Sequence, residues 1–271
     1  MKLHHLNIVL FVAVFLGTSL TIVAQEQYYS SIQHIPCPKG FERVTCAGGS
    51  FGEWLRSLKL KKSNVVYLYN GQMKGNQFSQ FAVVDIDVGK QDLQQCADAC
   101  MRLRAEYLFA SNQKEKIRFR FTNGTDATFV DWMNGKRPHI KGNSVRWTKD
   151  TKPNDSYAAL REYLIPVFRF CGTASLEKEL PTVSVHDIQI GDIVIKGGFP
   201  GHAIMVVDMC RNVQGKHLMM LAQSYMPAQD IHVLRNPENP TSPWYEVRNE
   251  SVLETPEWTF TDFTHQIRRF Q

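Results

Sequence analysis

Apolar positions recur at helical spacing in one stretch above all others, "DLQQCADACMRLRAEYLFA", where Leu93, Cys96, Cys100, Leu103 and Tyr107 share one face behind an Asp92 cap. A shorter helix is predicted over "SFGEWLRSL", with Ser50 as its N-cap and Phe51, Trp54, Leu55 and Leu58 on one side. "SYAALREYLIPVFRF" reads as a helix that Pro166 should kink or divide, and "GTASLEKELP" as a short helix closed by Pro181. Elsewhere the period drops to two. "NVVYLYNG" reads as a strand entering a turn, "FSQFAVVDIDVG" alternates Phe81 and Val83 with Ala82 and Val84, and "KIRFRF" alternates charge with Ile117, Phe119 and Phe121.

Residues 123 to 154 show no sustained period and read as loops. After them come apolar strands in close succession: "GDIVIKGG", "HAIMVVDMC", "HLMMLAQSY" and "DIHVLRN". N-terminal helices and strands followed by a run of strands predict an α+β fold packed on a C-terminal antiparallel sheet.

The first residues alter that picture. Lys2, the apolar run from Ile8 to Leu16 and a cut after Ala24 have the anatomy of a secretory signal, so residues 1–24 are set apart and 25–271 form a single domain. Gly17, Thr18 and Ser19 stop the run short of the roughly 20 apolar residues of a span. The mature chain is therefore expected outside the cytoplasm, periplasmic or extracellular, with no membrane span. Net charge is +5, with no basic helix interleaved with exposed aromatics, so nucleic acid is not an expected partner.

All six cysteines lie after the signal, too sparse for a disulfide scaffold. Cys37 and Cys46, flanking a short polar segment, are the expected bridge. His186, His217 and His232 with Asp187, Asp192 and Asp208 match no ligand spacing, so neither a metal nor another cofactor is expected.

Candidate chemistry centres on "GFPGHAIMVVD". His202 opens a strand directly after a glycine-rich loop, where a rigid sheet can hold a base at the rim of a cleft. Its expected nucleophile is Cys96, in the first turn of the strongest helix, where the macrodipole favours a thiolate. Gln95 beside it could donate to an oxyanion. If "RNVQG" closes a hairpin, pairing brings His202 opposite Gln223 or Ser224, and Gln223 has the length and the amide oxygen to hold the ring.

Two segments, "QQCADA" and "GDIVIKGGFPGHAIMVVD", resemble the cysteine and histidine segments of papain-like cell-wall hydrolases of the NlpC and CHAP type. The resemblance implies a papain-like arrangement, hydrolysis of peptide or peptidoglycan amides, and the order nucleophile first, histidine after. Over the whole chain, "SFGEWLRSL", "NGQMKGNQ", "DLQQCADACMRLRAEYL", "GTASLEKEL", "GGFPGHA" and "LAQSYMPAQDIHVL" resemble an uncharacterised secreted bacterial family, a domain of unknown function. The competing reading keeps Cys96 as a small buried residue and His202 as a loop-closing ring, in a non-catalytic envelope module or a pseudoenzyme.

Overall fold

The computed structural model describes residues 28–271, and the expected signal segment lies outside them. Strand β1 (Phe41–Arg43) is followed by α1 (Phe51–Ser57), β2 (Gln80–Val83) and α2 (Cys96–Ala110). Next come β3 (Arg118–Arg120), β4 (Asp126–Thr128), α3 (Phe129–Met133), β5 (Lys136–Lys141), β6 (Ser144–Lys149), α4 (Tyr157–Phe170) and α5 (Thr173–Glu179). The C-terminal part holds β7 (Ile193–Lys196), β8 (His202–Asn212), β9 (His217–Gln223), β10 (His232–Leu234), β11 (Trp244–Glu246), β12 (Leu253–Glu254), β13 (Thr259–Phe260) and β14 (Ile267–Arg268). The fold is α+β.

One antiparallel sheet in the order β14-β7-β8-β9-β10-β2 carries the molecule, with β1 paired to β8 and β11 to β9. Strand β8 has both faces buried. Ala203, Met205 and Val207 face a core shared with α1, α2 and α4, whereas Ile204, Val206 and Met209 face a second core under Phe260, Phe263 and Ile267. A strand covered on both sides reads as a continuous apolar run, which is why "HAIMVVDMC" shows no alternation.

Several elements differ from expectation. The segment "NVVYLYNG" makes only the isolated bridges Tyr67 to Met73 and Leu68 to Gln229. Residues 123 to 154 are not loops: they hold β4, α3 and the β5–β6 hairpin, whose many charges obscure the alternation. Pro166 lies inside α4 without dividing it. Its missing N–H removes one bond, and the buried Leu160, Tyr163, Leu164 and Val167 hold both halves of the helix on the same core.

The expected Cys37–Cys46 bridge is also absent, since all six cysteines are free. The Cys37 thiol instead meets that of Cys210. A turn in which Phe41 N–H donates to the Pro38 carbonyl, with Gly40 at φ +82°, folds Cys37 back onto the strand end where Arg43 pairs with Cys210. Cys46 points elsewhere, over Gly52 of α1, where an added methyl group would lie 3.1 Å from its sulfur.

Candidate active site

Helix α2 begins at Cys96, four residues beyond the anticipated Asp92 cap. The Asp92 carboxylate has other work: its Oδ1 accepts from Ala228 N–H at 2.7 Å and from Gln95 Nε2 at 3.1 Å. The helix is closed by Gln95 N–H donating to Asp98 Oδ2 at 3.0 Å, half of a capping box. Cys96 is therefore the first helical residue. The backbone N–H groups of Cys96, Ala97 and Ala203 lie near its sulfur and favour the thiolate, less than burial opposes it. Gln95 occupies the position assigned to an oxyanion donor, but its amide nitrogen is spent on Asp92.

Ala203 directly follows His202, so the sulfur sits at the start of β8. Pairing of β8 with β9 begins only at Met205, opposite Ala222, and α2 enters where β9 has ended. Ser224 Oγ ties the two together by donating to the Gln94 carbonyl at 2.9 Å. Gly201, just before His202, leaves no room for a side chain, which would meet the carbonyls of Lys196 and Gly198 and the Thr173 hydroxyl.

His202 is 1 % exposed, and its Nε2 lies 2.8 Å from Gln223 Oε1. The register differs from both alternatives read from sequence. A bulge between Val206 and Asp208 changes the pairing, and continuing the Met205–Ala222 register puts Gln223 opposite Ile204. Gln223 thus reaches His202 as the diagonal neighbour on the same face. Ser224 faces the Gln94 and Gln229 carbonyls and takes no part.

The network beyond Gln223 determines the imidazole's protonation. Glu257 Oε2 lies 2.9 Å from the Gln223 amide nitrogen, and a carboxylate accepts, so the amide oxygen must face His202. The oxygen can only accept, so the His202 hydrogen resides on Nε2 and Nδ1 carries the free lone pair. His232 completes the account: its Nδ1 donates to the Asp230 carbonyl at 2.9 Å, leaving Nε2 to accept from Gln223 at 3.4 Å. Buried Lys74 donates to Glu257 at 2.5 Å and to Ser79 Oγ at 2.6 Å. These assignments follow from the network of donors and acceptors.

Aromatic rings close over this chain of bonds. Tyr225, Trp258 and Phe260 lie 5.0, 5.3 and 5.9 Å from the His202 ring between centroids. Burial pulls the His202 pKa down to about 4 against a smaller opposing effect of Gln223, so the ring is neutral at physiological pH. Burial likewise raises the Cys96 thiol, outweighing the N–H groups aimed at it. The resting pair is thiol and neutral imidazole. That departs from the thiolate expected at a helix start, because desolvation opposes the macrodipole.

The structure thus brings His202 to Gln223 by a direct bond and Cys96 to the residue after His202. Among the described residues the Cys96 sulfur and the His202 ring share no hydrogen bond, and Nδ1 has no partner. The parts that Glu257, Lys74, His232, Tyr225 and Trp258 play here were invisible to pattern reading, since each comes from a segment whose approach to β8 no spacing encodes. No group of three or more His, Cys, Asp or Glu among the described residues is placed to hold a metal ion.

No curated protein and no solved structure matches this chain. A family model does, over residues 32–269, nearly the whole of the described structure. The chain belongs to the family described as domain of unknown function 4846, DUF4846.

Proposed function

We propose that this protein is an exported papain-like cysteine hydrolase that cleaves amide bonds of peptides or peptidoglycan stems. The observation that carries the reading is a histidine whose Nε2 is pinned by Gln223, with the next residue, Ala203, placing its backbone N–H near the Cys96 sulfur. In this reading His202 Nδ1 takes the Cys96 proton as sulfur attacks the carbonyl carbon. The N–H groups at the start of α2, that of Cys96 among them, receive the oxyanion in place of Gln95. The imidazolium then protonates the departing amine as the carbon–nitrogen bond breaks, leaving a thioester on Cys96. Water, deprotonated by His202, attacks the thioester and releases the carboxylic acid, returning the proton to sulfur.

The second reading, a non-catalytic envelope module or pseudoenzyme, is favoured by the near-complete burial of His202 and the upward shift of the Cys96 thiol. Labelling of the purified mature chain with an electrophilic thiol probe, alongside release of amines from peptides and peptidoglycan, separates the two. The hydrolase reading expects labelling and turnover that vanish together in Cys96→Ala. Equal labelling of wild type and Cys96→Ala would overturn it.

A further inference from the structure

Strand β8 begins at His202 and its antiparallel neighbour β9 ends at Gln223, so the chain enters one and leaves the other at the same end of the sheet. The Met205–Ala222 register, continued, sets His202 opposite Tyr225, and the two rings lie 5.0 Å apart between centroids. Two loops therefore meet at the histidine: residues 197–201 ahead of it and residues 224–229 beside it. The lead-in to α2 reaches the same place, since the Ala228 N–H donates to Asp92 Oδ1 and the Ala203 N–H lies near the Cys96 sulfur.

Each loop carries a large apolar side chain open to solvent and followed by a proline. Phe199, before Pro200, is 97 % exposed, and Met226, before Pro227, is 54 % exposed. Neither belongs to a core. Both loops are tied down: the Thr173 hydroxyl donates to the Gly198 carbonyl at 3.2 Å and the Gly197 N–H to Glu177 at 3.0 Å, while Ser224 Oγ lies 2.9 Å from the Gln94 and Gln229 carbonyls. A single exposed apolar residue, such as Val213 in the turn at the far end of the same two strands, is ordinary. Two of them on fixed loops that meet at one histidine leave apolar area for a partner to cover. Neither "GGFPG" nor "SYMPAQ" contains a charged residue, and the nearby Asp92 carboxylate is spent on Ala228 and Gln95.

We propose that Phe199 and Met226 select the substrate, a peptide with a large apolar side chain next to the amide to be cleaved. The inference rests on the hydrolase reading and decides between its two substrate classes. A peptidoglycan stem, built of small and charged residues, would cover little of Phe199 or Met226 and would find no counter-charge in either loop. A large apolar side chain instead removes both from water as it binds, with a gain that grows with the area covered. Pro200 and Pro227 restrict the backbone beside each contact, so less freedom is lost when the peptide docks.

Turnover of paired peptides that differ only in carrying Phe or Ala beside the scissile amide, with peptidoglycan stem fragments alongside, tests the proposal. Binding of the same peptides to Cys96→Ala reads the apolar contact without turnover. Wild type is expected to favour the Phe peptide at least about tenfold in kcat/KM, and Cys96→Ala to bind it at least about tenfold more tightly. Phe199→Ser/Met226→Ser should cut both preferences below about threefold, while Val213→Ser should leave them whole. All three positions are exposed, so the substitutions spare the fold. A binding preference in Cys96→Ala that depends on Phe199 and Met226, with no turnover in wild type, would sustain the apolar contact while ending the hydrolase reading. Equal treatment of the two peptides, an equal loss in Val213→Ser, or better turnover or binding of the stem fragments would overturn it.

Discussion

The two ends of β8 each hold a cysteine against the strand, and they are chemically unlike. At the His202 end, the Cys96 sulfur meets backbone N–H groups beside an imidazole whose free nitrogen is specified by Gln223 and Glu257. At the Asn212 end, Cys210 meets a second thiol, Cys37, beside a buried carboxylate: Asp208 accepts from Arg43 at 2.7 Å and from Arg56 at 2.5 Å. Burial raises both sulfurs. The first lies near a neutral imidazole, the second beside a carboxylate already held by two guanidinium groups. What distinguishes the two thiols is their neighbours rather than their burial or the strand that supports them.

The sharpest break in that comparison is expected from paired alanine variants. On the hydrolase reading, Cys96→Ala should lower amide hydrolysis at least about a thousandfold, whereas Cys210→Ala should leave turnover intact, measured on the same peptide substrate. Next in size is the effect of Asp208→Asn. It leaves two guanidinium groups facing a neutral amide in a buried place and should destabilise the fold by about 3–5 kcal/mol in denaturant unfolding, without changing labelling of Cys96 in the folded protein.

Gln223→Leu acts at the other end. It frees the imidazole to take either tautomer and should lower kcat about a hundredfold with a smaller effect on KM, which steady-state kinetics would resolve.

Acid pH sharpens the contrast further, because the His202 end holds both depressed histidines. Burial lowers His202 to about 4 and His232 to about 3, against about 6.5 in the unfolded chain. The native state thus favours the neutral rings. Their contribution is complete above about pH 6.5 and is lost as pH falls toward the folded values, because the unfolded chain binds protons that the native one refuses. Each ring should cost about 1.4 kcal/mol per pH unit in that window, seen as a falling unfolding midpoint between pH 6.5 and 4. The acid limb of turnover should sit near pH 4 rather than near 6.5. The smallest effect is a matter of connectivity. Mild oxidation with glutathione disulfide should yield a cross-linked peptide joining Cys37 to Cys210, with none joining Cys37 to Cys46, by mass spectrometry of the unreduced digest.

Local signals reported their elements well where one helical face or an uninterrupted apolar run was involved. Ser50 caps α1 by accepting from Glu53 N–H at 3.2 Å, and Asp192 holds the turn before β7 by accepting from Gln189 N–H at 2.8 Å. They misled where a polar side chain had a distant partner. Asp92 is an ordinary cap by composition, yet Ala228, 136 residues away, draws its carboxylate into a loop and moves the helix start to Cys96. The β5–β6 hairpin was hidden because its outward positions carry charge and its inward ones are few.

What this sequence determined unaided is the succession of helices and apolar strands, and the presence of a histidine at a strand start and a cysteine near a helix start. Those are properties of neighbours along the chain, set by backbone geometry over one or two turns. The tertiary structure alone decided which nitrogen of His202 bears hydrogen, that Glu257 and Lys74 stand behind Gln223, and that Cys37 answers Cys210. Each of these depends on a bulge, a turn or a crossing segment. A shift of one residue in register redirects a side chain to the opposite face of a sheet, and no local preference specifies that shift.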